Sequence, residues 1–374
     1  MINANATLST VKKRDIGIDN LRGIAAIIVV IFHFTLLFKL PEYRLVQNFG
    51  MIGVDLFFII SGYLITRSFD KLVSRHSLGT AGRLYAIHRL FRILPAYYLN
   101  LGIVILLYAL TTDPAFVFSK HFIKQIIHHG FFTSYIFKKD CGFGFNGSYW
   151  TLSIEMIWYI AAVILSLYCR RWWIIATLMI ASIMYVLLLD IGWFDIWLGL
   201  NPATANYMLL KYFWAHQFSG QFLFFGIGIL WYRYSSGRDF SFLCKRAGET
   251  PRILLYIILI AILIPTGKAN MVFISMKYLM SAVTVSFIFM TFYIFSNYAS
   301  RVLAWFGKIS YSLYLWHFPL IRIGVKIHAQ DYISMPNLTI LFIISLLLIS
   351  SFSYYFVEEA GFTMRDRLSK QFAR

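Results

Sequence analysis

Residues 23–38 read Gly-Ile-Ala-Ala-Ile-Ile-Val-Val-Ile-Phe-His-Phe-Thr-Leu-Leu-Phe, a run with no formal charge and one titratable side chain, His33. Extended back to residue 18, it reaches the ~20 residues that a helix needs to cross the hydrocarbon core of a bilayer. Similar runs recur along the whole 374-residue chain, which is 59% hydrophobic, 19% aromatic and only 13% charged. Average soluble proteins are roughly 45–50% apolar and about 25% charged. One soluble core cannot hide such an excess, so the bilayer is the solvent and the expected fold class is all-α, a polytopic transmembrane helix bundle.

Ten segments qualify as spans, at about 18–38, 50–69, 93–111, 149–168, 172–190, 212–232, 252–267, 273–295, 303–323 and 337–357. An even number puts both termini on one side, and the basic residues select that side. With a cytoplasmic N-terminus, 23 of the 34 Lys and Arg fall in inner segments and 11 in outer ones, so both termini are expected in the cytoplasm. The same bias accounts for the formal net charge of +18, and the expected partner of that charge is the membrane lipid rather than nucleic acid. The basic Lys12-Lys13-Arg14 leads into a span without a small-x-small cleavage site, so the first span is expected to stay as a helix. Cys141, Cys169 and Cys244 lie far apart without metal-ligand spacing, and neither a disulfide framework nor a metal site is expected. The longest loop, roughly 112–148, is too short for a catalytic domain, and residues 1–374 read as a single membrane domain whose chemistry sits in or beside the helices.

Titratable residues inside spans are costly unless paired or wetted, which makes each a functional candidate. On the first span Arg22 sits at the inner end and His33 lies eleven residues later, about 20° off one shared face and about 16 Å away. Asp19, three residues before Arg22, is placed to pair with it. Asp55 near the outer start of the second span, Glu155 within two turns of the outer start of the fourth, and His317 near the outer end of the ninth fall at a depth similar to that of His33. The segment 66–92 carries Arg67, Lys71, Arg75, Arg83, His88, Arg89 and Arg92 ahead of Pro95. It anchors the inner side, and Arg89 and Arg92, spaced i and i+3, also suit the binding of phosphates.

Six stretches in order carry a resemblance that covers nearly the whole chain: Asp19-Asn20-Leu21-Arg22-Gly23 followed by His33; Gly53-Val54-Asp55-Leu56-Phe57-Phe58 with Ser61-Gly62-Tyr63; Arg89-Leu90-Phe91-Arg92-Ile93-Leu94-Pro95; Trp150-Thr151-Leu152-Ser153-Ile154-Glu155; Gly307 through Tyr311, Tyr314, Trp316, His317 and Pro319; and Tyr354-Tyr355-Phe356-Val357-Glu358. The chain resembles acyltransferase family 3, membrane proteins that include bacterial O-acetyltransferases of lipopolysaccharide, exopolysaccharide and other glycans. It departs from the family pattern at His88-Arg89, where paired arginines are usual, and at Glu358-Glu359-Ala360, where Glu-x-Pro is usual. Its length resembles that of the stand-alone form, without a fused extracellular domain.

The resemblance implies an O-acyltransferase of a bacterial inner (plasma) membrane that takes an acyl group, by family habit acetyl, from cytoplasmic acetyl-CoA to a hydroxyl of an envelope glycan or lipid-linked sugar on the outer side. It links Arg22 to acyl-CoA and His33 to the transfer chemistry. On that basis Arg22, Arg89 and Arg92 are expected to hold the CoA phosphates, and His33 to remove the hydroxyl proton, being a base with a reference pKa near 6.5. Asp55 or Glu155 is expected to orient it, while His317, Trp150 and Trp316 bind the acceptor, the tryptophans by stacking. Both an acyl-histidine intermediate and direct transfer fit the sequence. The rival reading is a secondary transporter exporting a sugar-linked lipid, which predicts paired inverted repeats that the sequence does not display.

Overall fold

A computed structural model describes residues 16–46, 49–111, 117–136, 144–168, 171–238, 273–295 and 300–372. Every regular element among them is helical, and those longer than four residues are α1 Ile16–Leu37, α2 Phe49–Val73, α3 Leu78–Thr111, α4 Lys120–Gly130, α5 Tyr149–Tyr168, α6 Trp172–Asp190, α7 Tyr207–Ala215, α8 Phe218–Ser235, α9 Ile274–Ile294, α10 Arg301–Lys308, α11 Ser310–Lys326, α12 Met335–Phe352, a π turn Ser353–Glu358, and α13 Glu359–Phe372. Seven helical stretches among the described residues are long and apolar enough to cross a membrane. The chain is therefore an integral membrane helix bundle. The expected span at 252–267 and all three cysteines lie outside the described residues.

Three boundaries differ from the apolar-run reading. Most of the basic segment 66–92 is helix, because α2 continues to Val73 and α3 starts at Leu78, leaving Pro95 well inside a 34-residue helix. A proline there strips the Phe91 carbonyl of its usual partner, and Gly361 of α13 closes on that spot, where a Cβ would lie 2.9 Å from both Phe91 O and the Pro95 ring. The expected span 212–232 is broken between α7 and α8, at His216 and Gln217. The expected span 303–323 is broken at Ile309, whose φ of −92° and ψ of 6° leave the helical region. Ser310 steadies this break by donating its hydroxyl to the Gly307 carbonyl at 2.9 Å.

The bundle is organised around α1 and α2, which pack on each other. α2 is also flanked by α3, α5, α8 and α9, and α1 by α10 and α11. Small residues set these distances, since lipid gives helices no hydrophobic reason to associate and close backbone contact must supply the attraction. A Cβ on Gly307 would fall 1.8 Å from Asp19 O, and one on Gly23 2.4 Å from Leu303 O. Asn20, 0% exposed, sutures the same crossing. Its side-chain amide donates to Ile16 O (2.8 Å) and Ser300 O (2.9 Å), and its oxygen accepts from Ser300 N (2.9 Å). Gly307→Ala forces two backbones apart, so the expected result is loss of the monodisperse peak in detergent gel filtration or a thermal midpoint lowered by several degrees, the scale of about 1–3 kcal/mol of overpacking.

Candidate active site

A cavity opens at the arginine-rich end of the bundle, among α1, α2, α3, α5 and α11. Arg22, Arg89, Arg92 and Glu155 line it together with Ser61, Tyr159, Tyr311 and Tyr314. Periodicity explains the convergence. On α2 six of the seven lining residues, Val54, Phe57, Phe58, Ser61, Leu64 and Ile65, form one helical stripe with Ile60 at its edge, and Arg89 and Arg92 share a face of α3 as their spacing requires.

The polar contacts inside the cavity leave an anion-binding capacity. Arg89 donates to Leu64 O at 3.3 Å, and its guanidinium sits 5.3 Å from the Tyr85 ring centroid and 5.5 Å from that of Tyr159. Its Nε is buried without an acceptor. An orphaned N–H on a permanent cation is costly unless a ligand completes it. Glu155 Oε1 accepts from the Tyr159 hydroxyl (2.7 Å) and from Ser61 (3.2 Å). Glu358, only 1% exposed, accepts from Ser312 at 2.6 Å and lies within electrostatic reach of Arg92 and Arg22. The π turn carries it inward, a device found most often at functional sites. The sequence carries Glu358 only within the resemblance, and Ala360 in place of the usual proline left it without an assigned role.

His33 and His317 meet. Nδ1 of His33 lies 3.1 Å from Nε2 of His317 and 3.0 Å from the Val29 carbonyl oxygen. His317 is 0% exposed, with its own Nδ1 3.2 Å from Leu313 O. Phe318 is edge-on to His33, with ring centroids 5.4 Å apart, and Tyr314, a cavity residue, has its ring centroid 5.7 Å from that of His317. Pro319 leaves the Leu315 carbonyl without its helical donor, and Asn146 fills that role with its amide at 3.1 Å. Thr151 and the Tyr314 hydroxyl, 2.7 Å apart, tie the start of α5 to the same helix.

The expected carboxylate behind His33 is corrected by this geometry. Asp55, 3% exposed, accepts from Ser281 of α9 at 2.5 Å. It falls one position off the cavity stripe of α2, on the face that also carries Ile59 and Gly62 toward α8. Glu155 is bound to Tyr159 and Ser61, so Val29 O and His317 hold the imidazole instead. The tryptophans also lie apart from the histidine pair. Trp150 packs among Tyr135 (centroids 5.1 Å), His216 (5.7 Å) and Phe58 (6.5 Å). Trp316, one position or about 100° round from His317, lines a separate apolar groove with Leu99, Ile103, Leu348 and Phe352. His88, before Arg89, has its Nε2 3.1 Å from the Ser369 hydroxyl of α13. Outside the spans, burial holds the His129 imidazole of α4 down at about 4, with His128 adding to the effect, so it is neutral at pH 7.

Comparison with known proteins adds a second line of support. The family described as "Acyltransferase domain" matches residues 15–356. A protein of Staphylococcus aureus (strain COL), provisionally named an O-acetyltransferase, is 26% identical over 91% of this chain and 56% of its own length. The peptidoglycan O-acetyltransferase of Listeria monocytogenes is 25% identical over 91% of this chain and 55% of its own. A Bacillus subtilis protein, provisionally named a peptidoglycan O-acetyltransferase, is 26% identical over 92% and 54%. The chain thus spans about half the length of the curated relatives it matches. No solved structure matches it.

Proposed function

The chain belongs to the acyltransferase domain family, and from that premise we propose that it is a membrane O-acetyltransferase, moving an acetyl group from acetyl-CoA to a hydroxyl of a cell-envelope glycan. The observation that carries this reading is the convergence of Arg22, Arg89, Arg92 and a buried, unaccepted guanidinium N–H on one cavity, with a histidine base three helical turns beyond Arg22 on the same helix. The CoA phosphates are the ligand that three arginines suit, since guanidinium groups match phosphate oxygens in geometry and charge. Glu155, Tyr159 and Tyr311 line the same cavity beside the arginines. The positive-inside bias supports entry of acetyl-CoA from the cytoplasm, and the relatives' names support a peptidoglycan-like acceptor on the far side of the plasma membrane.

His33 takes the proton of the attacking hydroxyl as the oxygen adds to the thioester carbonyl. The C–O bond forms, the C–S bond breaks, and the proton passes on to the departing CoA thiolate. The test uses purified protein in detergent, where no gradient can drive transport. With acetyl-CoA and muramic-acid-containing oligosaccharide, we expect release of CoA thiol and a base-labile acetyl ester on the sugar by mass spectrometry. Glycan of unchanged mass, with acetyl-CoA intact, would overturn the reading.

A further inference from the structure

The two imidazoles define each other's protonation. A carbonyl oxygen only accepts, so the Leu313 carbonyl 3.2 Å from Nδ1 of His317 requires a proton on that nitrogen. A neutral ring carries one N–H, which leaves Nε2 of His317 as a lone pair. Nδ1 of His33 faces that lone pair at 3.1 Å and the Val29 carbonyl at 3.0 Å, two acceptors. It must therefore carry the His33 proton, and Nε2 of His33 is the basic nitrogen.

We propose that His317 is the positioning residue of the transfer reaction: it fixes His33 in the tautomer whose Nε2 is free to act as base, and it shares the Nδ1 proton while Nε2 holds the proton of the acceptor. This rests on the acetyl-transfer reading and assigns to a neutral imidazole the place that a carboxylate takes in serine hydrolases. During transfer the acceptor's hydroxyl proton moves to Nε2 of His33, and the ring becomes a cation. Its Nδ1–H···Nε2 bond to His317 then becomes charge-assisted and shorter. When the thiolate leaves, it takes the proton from Nε2, and both rings return to their starting tautomers, with ester and thiol as the only products. Phe32, Phe318 and Tyr314 ring the pair. In those surroundings the second imidazole is the titratable group that faces Nδ1, beside the Val29 carbonyl.

Three variants of the full chain test this. Glutamine at position 317 presents an oxygen that accepts from Nδ1–H but takes no proton; phenylalanine presents neither; alanine leaves room for added imidazole. For His317→Gln we expect kcat to fall about tenfold with both KM values held within about twofold, and for His317→Phe a fall of about 10²–10³-fold, the scale of a lost acid–base partner. Acetyl-CoA affinity should stay at the wild-type level in both, and imidazole should restore part of the kcat of His317→Ala. Folded His317→Phe with wild-type kcat, or with a change confined to the acceptor KM, would overturn the proposal. If the phenylalanine variant does not fold, a folded alanine variant that is fully active, or inactive and unresponsive to imidazole, overturns it equally. A wild-type protein that makes no ester refutes the acetyl-transfer reading instead. In that event nitrogen NMR of histidine-labelled protein still decides the tautomer: a His33 ring protonated on Nε2 rather than Nδ1 refutes the pairing.

Discussion

His33→Ala is expected to abolish acetyl transfer, lowering kcat by about 10²–10⁴-fold, while the protein still elutes as one species in detergent. The size of the effect follows from the position of the ring. Its Nδ1 is committed to Val29 O and His317, so the opposite nitrogen is available to a hydroxyl. The cost to folding is small by comparison. His33 is half-buried, and the alanine methyl disturbs neither the glycine crossing of α1 with α10 nor the Asn20 suture. What is lost is one hydrogen bond to a buried partner, about 1–3 kcal/mol, spread over a bundle of more than a dozen helices. The measurement is the rate of ester formation at saturating acetyl-CoA, paired with a gel-filtration profile. Near-normal acetylation by folded His33→Ala would end the assignment of this residue as base.

Arg89→Ala is expected to weaken acetyl-CoA binding by about 10–100-fold, with kcat reduced far less. A charge-assisted hydrogen bond contributes about 1.5–3 kcal/mol, which is that range in affinity. Arg89→Lys should recover little, because the orphaned donor is Nε and lysine offers no fork at that point. Arg22→Ala should weaken binding similarly, whereas Arg171→Ala, on an exposed residue outside the cavity lining, should leave it unchanged. Calorimetric titration with acetyl-CoA reads all four. Equal affinities across the wild type, Arg22→Ala and Arg89→Ala would mean that the phosphates bind elsewhere.

The residues that the sequence made legible are those whose geometry depends on a single helix. Arg22 and His33 share a face because eleven residues make nearly three whole turns, and Arg89 and Arg92 share one because i and i+3 always do on a helix. Of the residues expected at the depth of His33, His317 stands beside it, whereas Glu155 lines the cavity with Arg22, Arg89 and Arg92. Rotation about the helix axis was not legible. Asp55 looked like a partner for His33 because both lie toward one end, yet it turns toward α9, where Ser281 waits 226 positions downstream. No spacing in the sequence announces that bond. His317 and Trp316 show the same limit in reverse: neighbours in the chain, they point about 100° apart, one to His33 and one to an apolar groove.

Boundaries failed for a different reason. Counting apolar residues finds what the bilayer holds and truncates what projects beyond it, so the amphipathic first turns of α3 read as a loop although they are helix. The breaks at Ile309 and at His216–Gln217 lie within apolar runs, and local backbone packing decides them, with Gly307 against Asp19 as the clearest case.

The wide turn at Ser353–Glu358 sets the phase of everything after it. One surplus residue in a turn winds the downstream helix back by about 100° relative to a regular spiral. Without that offset Gly361 would no longer meet the Phe91 carbonyl and the Pro95 ring, and the long helix bearing Arg89 and Arg92 would lose the brace behind its proline. A miscounted turn late in the sequence thus meshes, like a tooth cut off pitch, with the guanidinium pair far upstream.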